Sequence, residues 1–187
     1  MHEDDEGRID AAEQLAEHNP HAAAEAFSAI ACDSGVDDET RLSAAEQLAA
    51  LDPRAAAPAC LAIACDDEAG DEVRLSAAEA LATANPLAAA PACLAIARDH
   101  GVGDEVRLSA AEALAAVNPL AAAPACLAIA CDGEVGDEVR LSAAEALAAA
   151  DPAAAAPACL AIARDEAVGS QVRLSATEQL AALDASA

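Results

Sequence analysis

DEVRLSAAEALA, residues Asp71 to Ala82, recurs letter for letter from Asp104 and from Asp137. Working outward from it, Arg8, Arg41, Arg74, Arg107, Arg140 and Arg173 follow one another at steps of 33 residues. A fixed period of this size marks stacked supersecondary units, none of which can bury its apolar face alone. The chain therefore reads as five full repeats and a sixth partial one. An acidic, flexible N-terminus (1–7) precedes the array over 8–184, and a short tail (185–187) follows it.

The punctuation inside one period predicts two helices. Asp-Glu precedes four of the arginines (Asp38 and Glu39, Asp71 and Glu72, Asp104 and Glu105, Asp137 and Glu138), as an N-cap and first turn would require. Before Arg173 the pair is Ser170 and Gln171, which can serve the same purpose. The first helix, A, ends at Asn19-Pro20, Asp52-Pro53, Asn85-Pro86, Asn118-Pro119 or Asp151-Pro152. Proline pushes the residue before it out of helical angles, while Asn or Asp caps a second helix with proline at its first position. Helix B follows and ends in an acidic loop, such as Asp99 to Gly103. About eleven helices result, five A–B pairs and a last A helix, with no strand.

Rotation by 100° per residue places Val73, Ala77, Ala80, Leu81 and Ala84 on the core side of helix A, with Ser76, Glu79 and Thr83 opposite. On helix B, Ala89, Cys93, Ile96 and Ala97 share the core face. Pro91 and Arg98 lie outside and Leu94 at the edge. Repeat one carries His21, Glu25 and Ser28 on its outer side, the polar dressing of an end repeat. Cys60, Cys93, Cys126 and Cys159 fall on the core face, where repeat one has Phe27. Cys32, Cys65 and Cys131 share a slot that is Arg98 and Arg164 elsewhere, and so should be exposed or half-exposed.

Asp71, Val73, Arg74, Ala77, Ala78, Ala80 and Leu81 follow the pattern D-x-V-R-x-x-A-A-x-A-L. In this the chain resembles the HEAT-like repeats of the phycobilisome-lyase type. The resemblance implies a right-handed α-solenoid of two-helix HEAT-like repeats. It is specific for fold and weak for function, because such repeats serve as lyases, chaperones, scaffolds and regulatory arms.

Charge and motifs narrow the function classes. Nine arginines, no lysine and 34 acidic residues give a net charge of −25. That field repels nucleic-acid phosphates and anionic lipid, and attracts basic proteins. The acidity fits high-salt adaptation as well as partner binding. No apolar stretch is long enough to span a bilayer, and MHEDDEGR at the start is no secretory signal. Seven cysteines without an export signal suit reduced thiols in the cytoplasm.

No cysteine pairs stand at metal-ligand spacing, and no acidic loop has the calcium-loop spacing. His2, His18, His21 and His100 are scattered. Ser76 and Ser109 neighbour Glu79 and Glu112 without a histidine base. No catalytic, cofactor or metal residue is therefore assigned. The arginines of the period are expected to form a structural ladder with acids of adjoining loops.

The expected activity is that of a non-enzymatic scaffold holding a basic or mixed-charge protein segment. Candidate contacts on helix B are Leu61, Leu94, Leu127 and Leu160 with Pro58, Pro91, Pro124 and Pro157, flanked by Arg98 and Arg164. Two alternatives stay open: a lyase- or chaperone-like handler of a cofactor or client, and the regulatory arm of a larger system.

Overall fold

The structure, a computed structural model, describes residues 2–186. Met1 and Ala187, the outer residues of the two expected terminal segments, lie outside the described residues. So do the side chains of His2, Glu3, Asp4, Ala84, Pro86 and Ser186. Among the described residues there are eleven helices and no strand. The A helices are α1 (His2–His18), α3 (Asp38–Leu51), α5 (Asp71–Ala84), α7 (Asp104–Val117), α9 (Asp137–Ala150) and α11 (Ser170–Ser186). The B helices are α2 (Pro20–Ala31), α4 (Pro53–Ala64), α6 (Pro86–Arg98), α8 (Pro119–Cys131) and α10 (Pro152–Arg164). The all-α, two-helix repeat with its 33-residue period is thus present as read. The acidic residues ahead of Arg8 continue α1, and Ala185 and Ser186 continue α11.

The corner between A and B forms as the Asn/Asp-Pro pairs require. Asn19, Asn118 and Asp151 accept from the backbone N–H three residues on, at 3.2, 3.2 and 3.1 Å. Asp52 accepts from both Arg54 and Ala55. One side chain therefore satisfies a free donor of helix B while proline, which has no N–H, occupies its first position.

The start of helix A differs from the expectation. The cap is not the aspartate of Asp-Glu but the residue before it, because the Arg74, Arg107 and Arg140 N–H groups bond the carbonyls of Gly70, Gly103 and Gly136 at 3.0 Å. Asp71, Asp104 and Asp137 are accordingly the first helical residues. The Ser170–Gln171 pair is likewise inside α11, whose first such bond runs from Arg173 to the Gly169 carbonyl. Gly70, Gly103 and Gly136 supply no side-chain cap, whereas in repeat two Asp37 accepts from the Thr40 N–H at 2.9 Å. Asp104 and Asp137 instead reach forward one repeat, accepting from the Gly136 and Gly169 N–H at 3.1 and 2.8 Å.

The chain divides into two compact units, Met1–Ala92 and Cys93–Ala187. Within the first, α1 packs on α2 and α3, α2 on α3 and α4, and α3 and α4 on α5. Within the second, each of α7, α8 and α9 packs on the next two helices, and α10 packs on α11. In both units A helices thus line up with A helices, and B lines up with B.

The core between them is almost all small side chains. Around Leu114, Cys126 and Ile129 the fully buried residues are Ala110, Ala111, Ala122, Ala125 and Ala130. The single phenylalanine, Phe27, is buried in the slot that Cys60, Cys93, Cys126 and Cys159 fill elsewhere. Helix B shows the expected face, with Pro91 and Arg98 exposed. Helix A is turned slightly from the expected face: Ala77 and Leu81 are buried as expected, but Arg74 and Ala78 are buried with them, while Val73 and Ala80 are only half-buried.

Gly136 has φ −56° and ψ 142°, open to any residue, and a Cβ built there meets nothing within 4 Å. Gly136→Ser should therefore add a side-chain cap and stiffen the unfolded chain, stabilising the protein by about 0.5–1 kcal/mol. Paired urea titrations of the two proteins would measure it.

Candidate functional site

The arginine of each period sits on the buried stripe of helix A, so its charge needs partners inside the protein. Arg107 is 3% exposed. Its Nε donates to the Ala97 carbonyl at the end of the preceding B helix, at 3.4 Å. Its guanidinium also lies 3.4 Å from Asp104 and 3.6 Å from Asp132. Arg140 repeats the arrangement with the Ala130 carbonyl at 3.3 Å and Asp165 at 3.1 Å. Arg41 holds Asp38 at 3.1 Å and Asp66 at 2.9 Å, and Arg8 holds Asp33 at 3.1 Å. The expected ladder is present, and its acids are aspartates.

Each loop aspartate has a second task. One carboxylate oxygen of Asp33, Asp66, Asp99, Asp132 and Asp165 accepts from the backbone N–H two residues on, which closes the turn. The turn drops an apolar residue, Val36, Ala69, Val102, Val135 or Val168, into the core. The Arg41 side chain, followed by the Glu68 N–H, holds the Asp66 carboxyl below the usual range. For Asp33 and Asp165 the turn N–H contributes most and the arginine next, in the same direction. These acids build the fold, which removes the arginine ladder and the loop aspartates from the candidates for ligand contact.

The cysteines divide as expected. Cys60, Cys93, Cys126 and Cys159 are buried, and Cys32, Cys65 and Cys131 are exposed. Burial pushes the Cys60, Cys126 and Cys159 thiols up, away from reactive thiolate.

The candidate contacts of helix B lie on its outer side. Pro58, Pro91, Pro124 and Pro157 are exposed, as are Leu61, Arg98 and Arg164, whereas Leu94, Leu127 and Leu160 are half-buried. The most exposed apolar side chains are different ones, Leu87 and Leu120, at 86 and 80%. Each follows the capping proline, a slot that repeat two fills with Arg54 and repeat one with His21. That variation between polar and apolar residues was the signal that the slot faces water.

The exposed face of helix A is acidic. Glu46 and Glu79 in the first unit, and Glu112, Glu145 and Glu178 in the second, occupy one position of the period, all exposed. In the first unit an open groove of about 500 Å³ runs between α1 and α3, lined by Glu6, Asp10, Asp37 and Glu39 with Ile9 and Thr40. A second, of about 520 Å³, lies between α2 and α4 and includes His21, Glu25 and Cys32. Among the described residues no three His, Cys, Asp or Glu side chains are grouped to hold a metal ion, and no helix is long and apolar enough to cross a membrane.

No family model, curated protein or solved structure matches the chain. The likeness to HEAT-like repeats accordingly stands at the level of architecture: an all-helical, repeated two-helix solenoid.

Two measurements probe this geometry. A thiol reagent should label Cys32, Cys65 and Cys131 of the native protein rapidly, and the other four cysteines only after denaturation. Fast labelling of Cys126 would contradict the helix B orientation. The second concerns pH. Carboxyls lowered in the folded state contribute stability that is present above the unfolded value of about 3.9 and is lost as pH falls through the folded values. The urea midpoint should hold steady down to about pH 5 and drop below about pH 4. Asp165→Asn should lower the midpoint at neutral pH and make that drop shallower.

Proposed function

We propose that the chain is a non-enzymatic scaffold that holds a basic or mixed-charge segment of another protein. The observation that carries this reading is a separation of charge. Arg41, Arg107 and Arg140 are buried against aspartates, while Glu46, Glu79, Glu112, Glu145 and Glu178 of helix A are exposed and have no cationic partner among the described residues. The surface is therefore more uniformly negative than a mixture of 9 arginines and 34 acids suggests. Exposed cations are few: Arg54, Arg98 and Arg164 on helix B, and Arg8 on α1, where Asp33 holds it. Lysine or arginine side chains of a partner would find carboxylates at every repeat along helix A.

Helix B supplies the apolar part of the contact. The proline and leucine positions are the ones read from the sequence: Pro58 with Leu61, Pro91 with Leu94, Pro124 with Leu127, and Pro157 with Leu160. Leu87 and Leu120 join them on exposure alone. Seven free thiols suit action in a reducing compartment, the cytoplasm.

The test uses a fluorescent peptide of alternating lysine and leucine, with its lysines acetylated in the control. Affinity measured by anisotropy should fall about tenfold or more between low salt and about 0.5 M, since exposed charges are then screened within a few ångströms. Replacing Glu79, Glu112 and Glu145 together by Gln should weaken binding at low salt and flatten the salt dependence. Equal affinity for the acetylated control, or affinity independent of salt, would overturn the proposal.

A further inference from the structure

We infer that clefts between neighbouring A helices each receive one basic side chain of the bound segment, its apolar stem on alanine and its charged end on a glutamate. This rests on the scaffold reading above and names what the scaffold grips. In the first unit α3 packs on α5, and the cleft between them has a volume of about 280 Å³. Its walls are Ala49, Ala50, Pro53 and Ala80, and Glu46 stands among them. Pockets for drug-sized molecules begin at roughly 300 Å³, so this one is sized for a single side chain. Glu46 is exposed and has no cationic partner among the described residues. Thr83, which also lines the cleft, donates its hydroxyl to the Glu79 carbonyl at 3.3 Å and so does not answer Glu46.

One period earlier the chain itself supplies what such a cleft holds. The groove between α1 and α3 is lined by Glu13, Ala16, Gln47 and Ala50, the counterparts of Glu46, Ala49, Ala80 and Thr83. There the Gln47 amide reaches from the neighbouring helix and donates to the Glu13 carboxylate at 3.4 Å. An N–H donor on an aliphatic stem thus meets the glutamate. Ala80 ends at its Cβ and offers neither stem nor donor, which leaves Glu46 to a donor from outside the chain.

Lysine and arginine have the features that Gln47 provides, a flexible apolar stem ending in N–H donors, and add the positive charge that a carboxylate prefers. A charged donor bonds a carboxylate roughly twice as strongly as a neutral one. A purely apolar ligand would cover Glu46 without answering it, at the cost of an unpaired charge taken from water. Two periods on, Glu112, Ala115, Ala116, Pro119 and Ala146 repeat Glu46, Ala49, Ala50, Pro53 and Ala80 with the same pattern of exposure. They lie on α7, α8 and α9 of the second unit, where α7 packs on α9.

The test uses the whole chain and the fluorescent peptide of alternating lysine and leucine. Ala80→Gln together with Ala146→Gln copies Gln47 into both clefts and leaves the net charge unchanged. The period already carries glutamine at this position, at Gln47 and Gln179, so the substitution suits helix A. Affinity should fall about fivefold or more, whereas Gln47→Ala, which opens the first groove, should raise it about twofold. A second peptide replaces lysine by diaminobutyrate, the same charge on a stem two methylenes shorter. It should bind the parent chain about tenfold more weakly than the lysine peptide, and the gap should shrink to within about threefold in the double glutamine variant. Lysine binding that is indifferent to the two glutamines, or equal affinity for the two peptides, would overturn the inference and leave the scaffold reading standing. Failure of both peptides to bind saturably would overturn the two together.

Discussion

The rest of the structure depends on a guanidinium that is buried and must be answered. A charge removed from water is costly unless every donor finds an acceptor, so the arginine dictates the position of whatever surrounds it. Arg107 illustrates the consequence. Its acceptors come from three places: the end of the B helix before it, the first residue of its own helix, and the loop after the next B helix. A one-residue slip of any of these would leave a charge unpaired in the interior. Such a penalty selects one register among many that an alanine-rich interface would tolerate equally well.

That selection matters because the apolar core discriminates poorly. Alanine faces carry no shape that distinguishes one turn from the next, and one leucine, one isoleucine and one cysteine per repeat add little. Polar bonds supply what the packing lacks. Asp104 and Asp137 each bond the N–H of a glycine one repeat ahead, and Asp132 and Asp165 each hold a turn and an arginine together. In each unit, apolar burial drives the helices together and the aspartates and arginines determine how.

The parts of this legible in the sequence were those written as local rules. Asn118-Pro119 ends one helix and begins another by backbone sterics alone, so the helix count and the period could be read directly. The outer and inner sides of helix B followed from Pro91 and Arg98, neither of which belongs in a core without help. Helix A was misread by a rotation. Ala77 and Leu81 are buried as expected, but the face was centred toward Val73 and Ala80, whereas Arg74 and Ala78 are the further buried ones. The error is physical: a face was assigned by hydrophobicity, yet the burial of this charge is decided by an aspartate 25 residues away in the chain. The aspartate of Asp-Glu was given to capping for the same reason, since its bond to the next repeat's glycine has no local signature. Of the candidate contacts, the prolines and Leu61 proved exposed, but Leu87 and Leu120 escaped notice because they follow a proline that reads only as helix punctuation.

An interior built this way shapes the outside. Because arginines are consumed in buried pairs, the exposed side of helix A is left to glutamate, and the surface charge is set by the packing solution rather than added to it. Stability in such repeats resides in the interfaces between neighbours more than in any one helix pair. The same aspartates that fix the register between neighbours thereby decide which charges remain outside, and these are the glutamates of helix A.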